Sequence, residues 1–170
     1  MLRKLSALFA LLLLAALFFA LPILGTSEKQ VTSDVSSSLQ SIGGVQSTSL
    51  DTLITAFGCD VPHDRAGGIG IVEDVTLGSL NARMLRWQRE GGLVISAIRP
   101  AAAAQLLRED GLELDTQHMW TVGGAGLITA TGGRGSCAYY TTDDAAYSLF
   151  LPGADTDALL SAVAILSFPH

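Results

Sequence analysis

Residues 86–107 read RWQREGGLVISAIRPAAAAQLL, and the fold turns on how this stretch is divided. Residues 93–98 (LVISAI) are β-branched and mostly apolar, the composition of a strand buried in a sheet. Glu90-Gly91-Gly92 ahead of them is turn chemistry, and in the run 81–89 Leu85 and Trp87 fall on one face of an extended chain. This predicts a hairpin of 81–89 with 93–98. The competing division is a helix over 80–90, capped by Ser79 and stopped by Gly91. Pro100 then opens a helix running through Asp110. Ala101 to Ala104 favour it, Leu106 and Leu107 supply its buried face, and Gly111 lies past its end.

Working outward, YYTTDDAAYSLFLPGADTDALL (139–160) lies over 86–107 without a gap at an offset of 53 residues. Both stretches read as strand, turn, apolar strand and helix, with Ala101/Ala154, Leu106/Leu159 and Leu107/Leu160 identical, which suggests a duplicated β-β-α unit. Further strands are expected near 118–123, 126–131, 136–142 and 145–151, punctuated by Gly123-Gly124, Gly132-Gly133 and Asp143-Asp144. A last helix covers Asp155 to Leu166. Upstream, Ile69, Ile71, Val75 and Leu77 alternate as a strand after a loop over 60–68. Ser49 caps a short helix with Leu50, Leu53, Ile54 and Phe57 at helical spacing, ended by Gly58. The expected fold is α+β: an antiparallel meander on one side, two or three packed helices on the other.

The N-terminus sets the compartment. Arg3 and Lys4 precede an apolar block, Leu5 to Leu24, broken only by Ser6. Twenty such residues match a hydrocarbon core, and they exceed the roughly 7–15 of a signal peptide's apolar region. Leu24-Gly25-Thr26 is a poor cleavage site, and the absence of a nearby Cys leaves lipoprotein processing unsupported. Residues 1–25 therefore read as a single-pass anchor in a bacterial inner membrane, with its basic end in the cytoplasm. The alternative is a cleaved signal and a protein free in the periplasm or secreted. Residues 26–48, rich in Ser, Thr, Gln and Gly, read as a flexible stalk, and 49–170 as the extracytoplasmic domain. Few lysines beside many Arg, Ala and Gly suit a GC-rich bacterial genome.

Residues 26–170 carry eight basic residues against sixteen acidic ones, a net charge of −8. Such a surface repels phosphate backbones, so nucleic acid is not an expected partner. Two cysteines in an oxidising compartment, Cys59 and Cys137, are expected to pair, closing a loop of about 78 residues and contributing roughly 4 kcal/mol by the chain-entropy argument. The other readings are two buried thiols or a metal site.

Candidate chemistry is sparse. Cys59, Asp60, His63 and Asp64 have the residue types of a zinc site, but paired ligands in a second short motif are missing, so no metal or cofactor is expected. A thiol hydrolase would draw on Cys59 or Cys137 with His63 or His118. Gly135-Ser136-Cys137 is no nucleophile elbow, because it enters a strand. GGAG (123–126) and GGRG (132–135) sit between strands and read as turns, not phosphate cradles. The expectation is a protein that is not an enzyme. Arg83, Arg86 and Arg89 surround Trp87, residue types that anchor interfaces. They form the candidate partner surface, unless the Arg stems merely cover a half-buried Trp. Tyr139, Tyr140 and Tyr147 either extend that surface or line the core.

GLELDTQHMWTVGGAGLITATGG, followed by CAYYTTDDAAYSLFLPGADTDALLSAV, resembles the extracytoplasmic half of bacterial membrane-spanning anti-sigma factors. Gly111, Leu112, Leu114, Tyr139, Tyr140, Tyr147, Leu149, Leu159 and Leu160 carry the likeness, over about 55 residues. Those regulators hold a sigma factor through a cytoplasmic part ahead of the membrane segment, commonly with a His/Cys zinc motif. Here four residues precede the apolar block. The resemblance thus implies a shared outer domain without shared signalling. The function expected is that of an accessory, assembly or regulatory subunit of a membrane complex, with a periplasmic ligand-binding protein or a small exported hydrolase as alternatives.

Overall fold

The computed structural model describes residues 40–169. The expected anchor, and the stalk as far as residue 39, lie outside them. Among the described residues no helix is long and apolar enough to cross a membrane. The elements are β1 (Gln40–Ser47), α1 (Leu50–Phe57), β2 (Gly68–Leu77), β3 (Leu80–Arg89), β4 (Val94–Arg99), a 3-10 helix (Ala101–Leu107), β5 (Glu113–Leu114), β6 (Trp120–Val122), β7 (Ala125–Gly132), β8 (Gly135–Thr141), β9 (Ala146–Pro152) and α2 (Thr156–Val163). They build an α+β fold, mostly strand. The single sheet has the order β1-β2-β3-β4-β9-β8-β7-β5, with β6 also on β7. Every pairing is antiparallel.

The hairpin division of 81–98 holds, and the helix over 80–90 does not form. Trp87 pairs with Ile95 and Leu85 with Ala97, while Gly91 and Gly92 take the positive φ that the turn demands. Both sequence-read helix caps also form around α1. The Ser49 side chain accepts from the Thr52 amide, and Gly58, at φ 84°, returns its N–H to the Ile54 carbonyl.

Three expectations are corrected. Residues 40–47, assigned to the stalk, are the edge strand β1, paired with β2 from Gln40–Thr76 to Ser47–Gly70. The register shifts between Ile42 and Gly44, which breaks the period-two pattern that would mark a strand in sequence. Gly44 leaves room there for Ile71, since a Cβ would stand 2.7 Å from the Ile71 Cδ1 and push that side chain aside. The helix after Pro100 is a 3-10 helix ending at Leu107, held by bonds such as Ala103 N–H to the Pro100 carbonyl. Pro100 caps it with no side-chain bond, and seven residues are too few for alanine propensity to outweigh the cost of nucleating an α-helix. Finally, the helices do not share one side of the sheet. Leu53 and Phe57 of α1 and Leu159 and Val163 of α2 join Leu85, Trp87, Ile95 and Leu149 in one core. Ala103, Ala104 and Leu107 of the 3-10 helix join Met84, Ile98, Cys137 and Tyr139 in a second, on the opposite face. The central strands β4, β8 and β9 are apolar at successive positions for that reason.

The strand arrangement repeats along the chain. Two three-stranded meanders, β2-β3-β4 and β7-β8-β9, meet where Ser96 of β4 lies opposite Ser148 of β9. The gapless alignment fails by one residue. Five residues (89–93) turn the chain between the pair Gln88–Val94, but four (142–145) do so between Thr141–Ala146. The following helices lie on opposite faces.

Candidate functional site

Trp87 is 2 % exposed and belongs to the first core. Its indole lies over the backbone of β2 at Gly68 and Gly70, where side chains are absent. A Cβ on Gly68 would stand 2.6 Å from the indole Cε2, and one on Gly70 would stand 3.0 Å from Cε3. The ring is thus a core element and cannot anchor a partner. Tyr139, Tyr140 and Tyr147 are buried as well.

Arg83 and Arg89 share the Trp87 face, as strand alternation requires, and both are engaged. The Arg83 guanidinium grips Asp74 through Nε (2.7 Å) and Nη2 (3.1 Å), and Nη1 donates to the Ala56 carbonyl. Arg99, directly opposite Arg83 in the sheet, donates to the carbonyls of Phe57 and Gly58 at 3.3 and 2.9 Å. Two abreast arginines repel each other. Here the negative end of α1, which has no basic residue in its own last turn, and the Asp74 carboxylate offset that repulsion. The Arg83 hydrogen bond holds the Asp74 carboxyl below its usual range. An open groove of about 740 Å³ lies beside these arginines, lined by Phe57, Asp74, Arg83, Arg99, Asp143 and Asp144. Its arginines are already committed to capping α1.

Arg89 grips Asp64 at 3.0 and 2.6 Å and ties the 60–67 loop to the end of β3. Burial pushes the Asp64 carboxyl up, but bonds from Arg89 and the Ala66 amide more than offset this, and the net shift is downward.

The expected disulfide is absent, and the fold explains why. Both cysteines are free. Cys137 is completely buried in the second core, while Cys59 packs against the first, so the sheet separates them. Burial pushes the Cys137 thiol up to about 12, which keeps it protonated and poorly nucleophilic. The Cys59, Asp60, His63 and Asp64 stretch does not converge. Among the described residues no three His, Cys, Asp or Glu side chains are placed to hold a metal ion. His63 Nδ1 sits 2.8 Å from the Val61 carbonyl oxygen, Asp60 offers its own carbonyl to the Tyr147 hydroxyl, and Asp64 belongs to Arg89. His118 is exposed beside Asp115, 2.8 Å away.

Arg86 alone of the expected surface points the other way. It lies opposite Ile71 on β2 and Ser96 on β4, on the second face. The 3-10 helix covers that face at its Met84 and Ile98 end. Toward the other end, Arg86, Gln88 and Ile69 are exposed, while Ile71, Val94 and Phe150 are half-buried. Among the described residues the 3-10 helix packs on β4 and β9, and Phe150 borders the core it builds. Arg86 is a chain neighbour of Arg83 and Arg89, yet it stands on the opposite face from both. The period-two rule already placed it with Gln88, but pairing with Ile69 and Ile71 required the register of β2.

No family model matches the chain, and neither the curated proteins nor the solved structures give a match.

Proposed function

We propose that this protein works by binding another protein, as a membrane-anchored extracytoplasmic accessory, assembly or regulatory subunit, and not by catalysis. The observation that carries this reading is the less covered half of the second sheet face, where exposed Arg86 stands between Ile71 and Ser96, with Ile69, Val94 and Phe150 on the same face. Apolar surface of this kind on a small domain favours a partner, because covering it removes the apolar area from water. The membrane attachment is read from residues 5–24, and an anchored head meets membrane partners at a raised effective concentration. The cytosolic functions of a nucleic-acid binder are disfavoured by seven arginines against fourteen carboxylates in residues 40–169.

The test has two arms. Carbonate extraction should leave the full-length protein in the membrane pellet, with a reporter at its C-terminus active outside the cytoplasm. Purification in mild detergent should then yield a stoichiometric protein partner. Release by carbonate overturns the anchor, and a lone monomer in detergent overturns the subunit.

A further inference from the structure

Resting on that reading, we infer that the less covered half of the second sheet face seats a segment of the partner protein carrying one carboxylate between apolar side chains, and that Arg86 is its anchor.

The argument is one of charge complementarity within an apolar frame. Cross-strand pairing places Ile71 beside Arg86 and Ile69 beside Gln88. It also places Val94 between Gln88 and Phe150, so six side chains from four strands form one contiguous surface. The Arg86 side chain makes no hydrogen bond or ion pair with the described residues, unlike those of Arg83 and Arg89, which are held by Asp74 and Asp64. Glu73, at the covered margin of this face, is already engaged. The guanidinium is therefore an available fork of donors, with Ile71 on one side of it and the small Ser96 on the other. Its geometric match is a carboxylate, gripped bidentately, and seating apolar neighbours on Ile69, Ile71 and Phe150 would remove that pair from water and strengthen it. A polyanion fits badly, since the rest of the domain carries an excess of carboxylates. A second copy of the same face would set Arg86 against Arg86.

The experiment uses the full-length protein in its native membranes, with a photo-crosslinking residue at Gln88 and, in parallel, at Ile69. Control positions are Val45 at the sheet edge and Asp51 on α1. Irradiation should give one discrete adduct with a different protein from Gln88 and Ile69. The cross-linked peptide should contain an Asp or Glu flanked by apolar residues. Arg86→Glu should lower the adduct yield about tenfold or more, as expected when a charge-assisted pair is replaced by two like charges. Converting the partner's carboxylate to Arg should restore the yield. Arg86→Gln, which keeps the stem, serves if the reversal disturbs folding, and an unchanged melting temperature qualifies either variant. An adduct within one chain or between two copies overturns the proposal. So does lipid as the only product, a peptide without a carboxylate, or full yield with Arg86→Glu. Adducts from Val45 or Asp51 alone would overturn this site and leave the binding-subunit reading standing; none from any position would overturn both.

Discussion

Tyr140 and Tyr147 stack in the first core, ring centroids 4.4 Å apart and nearly parallel, but their hydroxyls differ. Tyr147 donates to the Asp60 carbonyl at 3.0 Å, and the Tyr140 hydroxyl is buried with no hydrogen-bond partner. Leaving a buried polar group unpaired costs about 1–3 kcal/mol. Tyr140→Phe should therefore leave stability unchanged or raise it, while Tyr147→Phe should lose about 1 kcal/mol; urea melts of the two variants side by side decide this. Asp64 makes a second prediction. Its folded pKa is depressed, so the Asp64–Arg89 pair contributes stability that is fully present above the ordinary carboxylate value near 3.8. That contribution is lost as pH falls through the lower folded value. Acid melts should show Asp64→Asn already weakened at neutral pH, with the gap to the natural protein closing below about pH 3.8.

The two α-helices make the same point about local signals. Ser49 reads as an N-cap from sequence and is one, and Asp155, expected as the first residue of the last helix, is instead its N-cap. Asp155 accepts from the Ala158 amide at 2.8 Å, and Ser49 from the Thr52 amide at 3.4 Å. Asp155→Ala should cost about 1 kcal/mol and Ser49→Ala less, as read from thermal melts, with faster amide exchange confined to the first turn of the affected helix. Caps, glycine turns and hairpins were legible because they are decided within a few residues. The 3-10 helix was not, since its length is cut by what its two ends must do. β1 was not, because backbone pairing to β2 holds a strand whose own pattern is interrupted at Gly43 and Gly44. The candidate site lies further out of reach of local reading. Arg83, Arg86, Trp87 and Arg89 are neighbours in the chain, but alternation divides them between two faces, and only β2 shows which face is less covered.

At the scale of the molecule, the sheet is a wall between two apolar layers, and the cysteines fall on opposite sides of it. The native protein should run identically with and without reductant. A thiol reagent should modify Cys59, which is partly exposed, while Cys137 reacts only after denaturant is added. A mass lower by about two units in the unreduced protein, the signature of a cystine, would contradict this arrangement of layers. The wall also has a seam. Within each meander the strands are joined by turns of a few residues, but β4 and β9 bring together positions such as Val94 and Phe150 from the two halves of the chain. Among the described strands this is the longest loop to close, at a cost that grows with the logarithm of the intervening length. By that logarithm, trimming a few of the residues between β5 and β6 should change the folding rate little, and the halves register on each other through Ser96 and Ser148, the small side chains at the centre of the join.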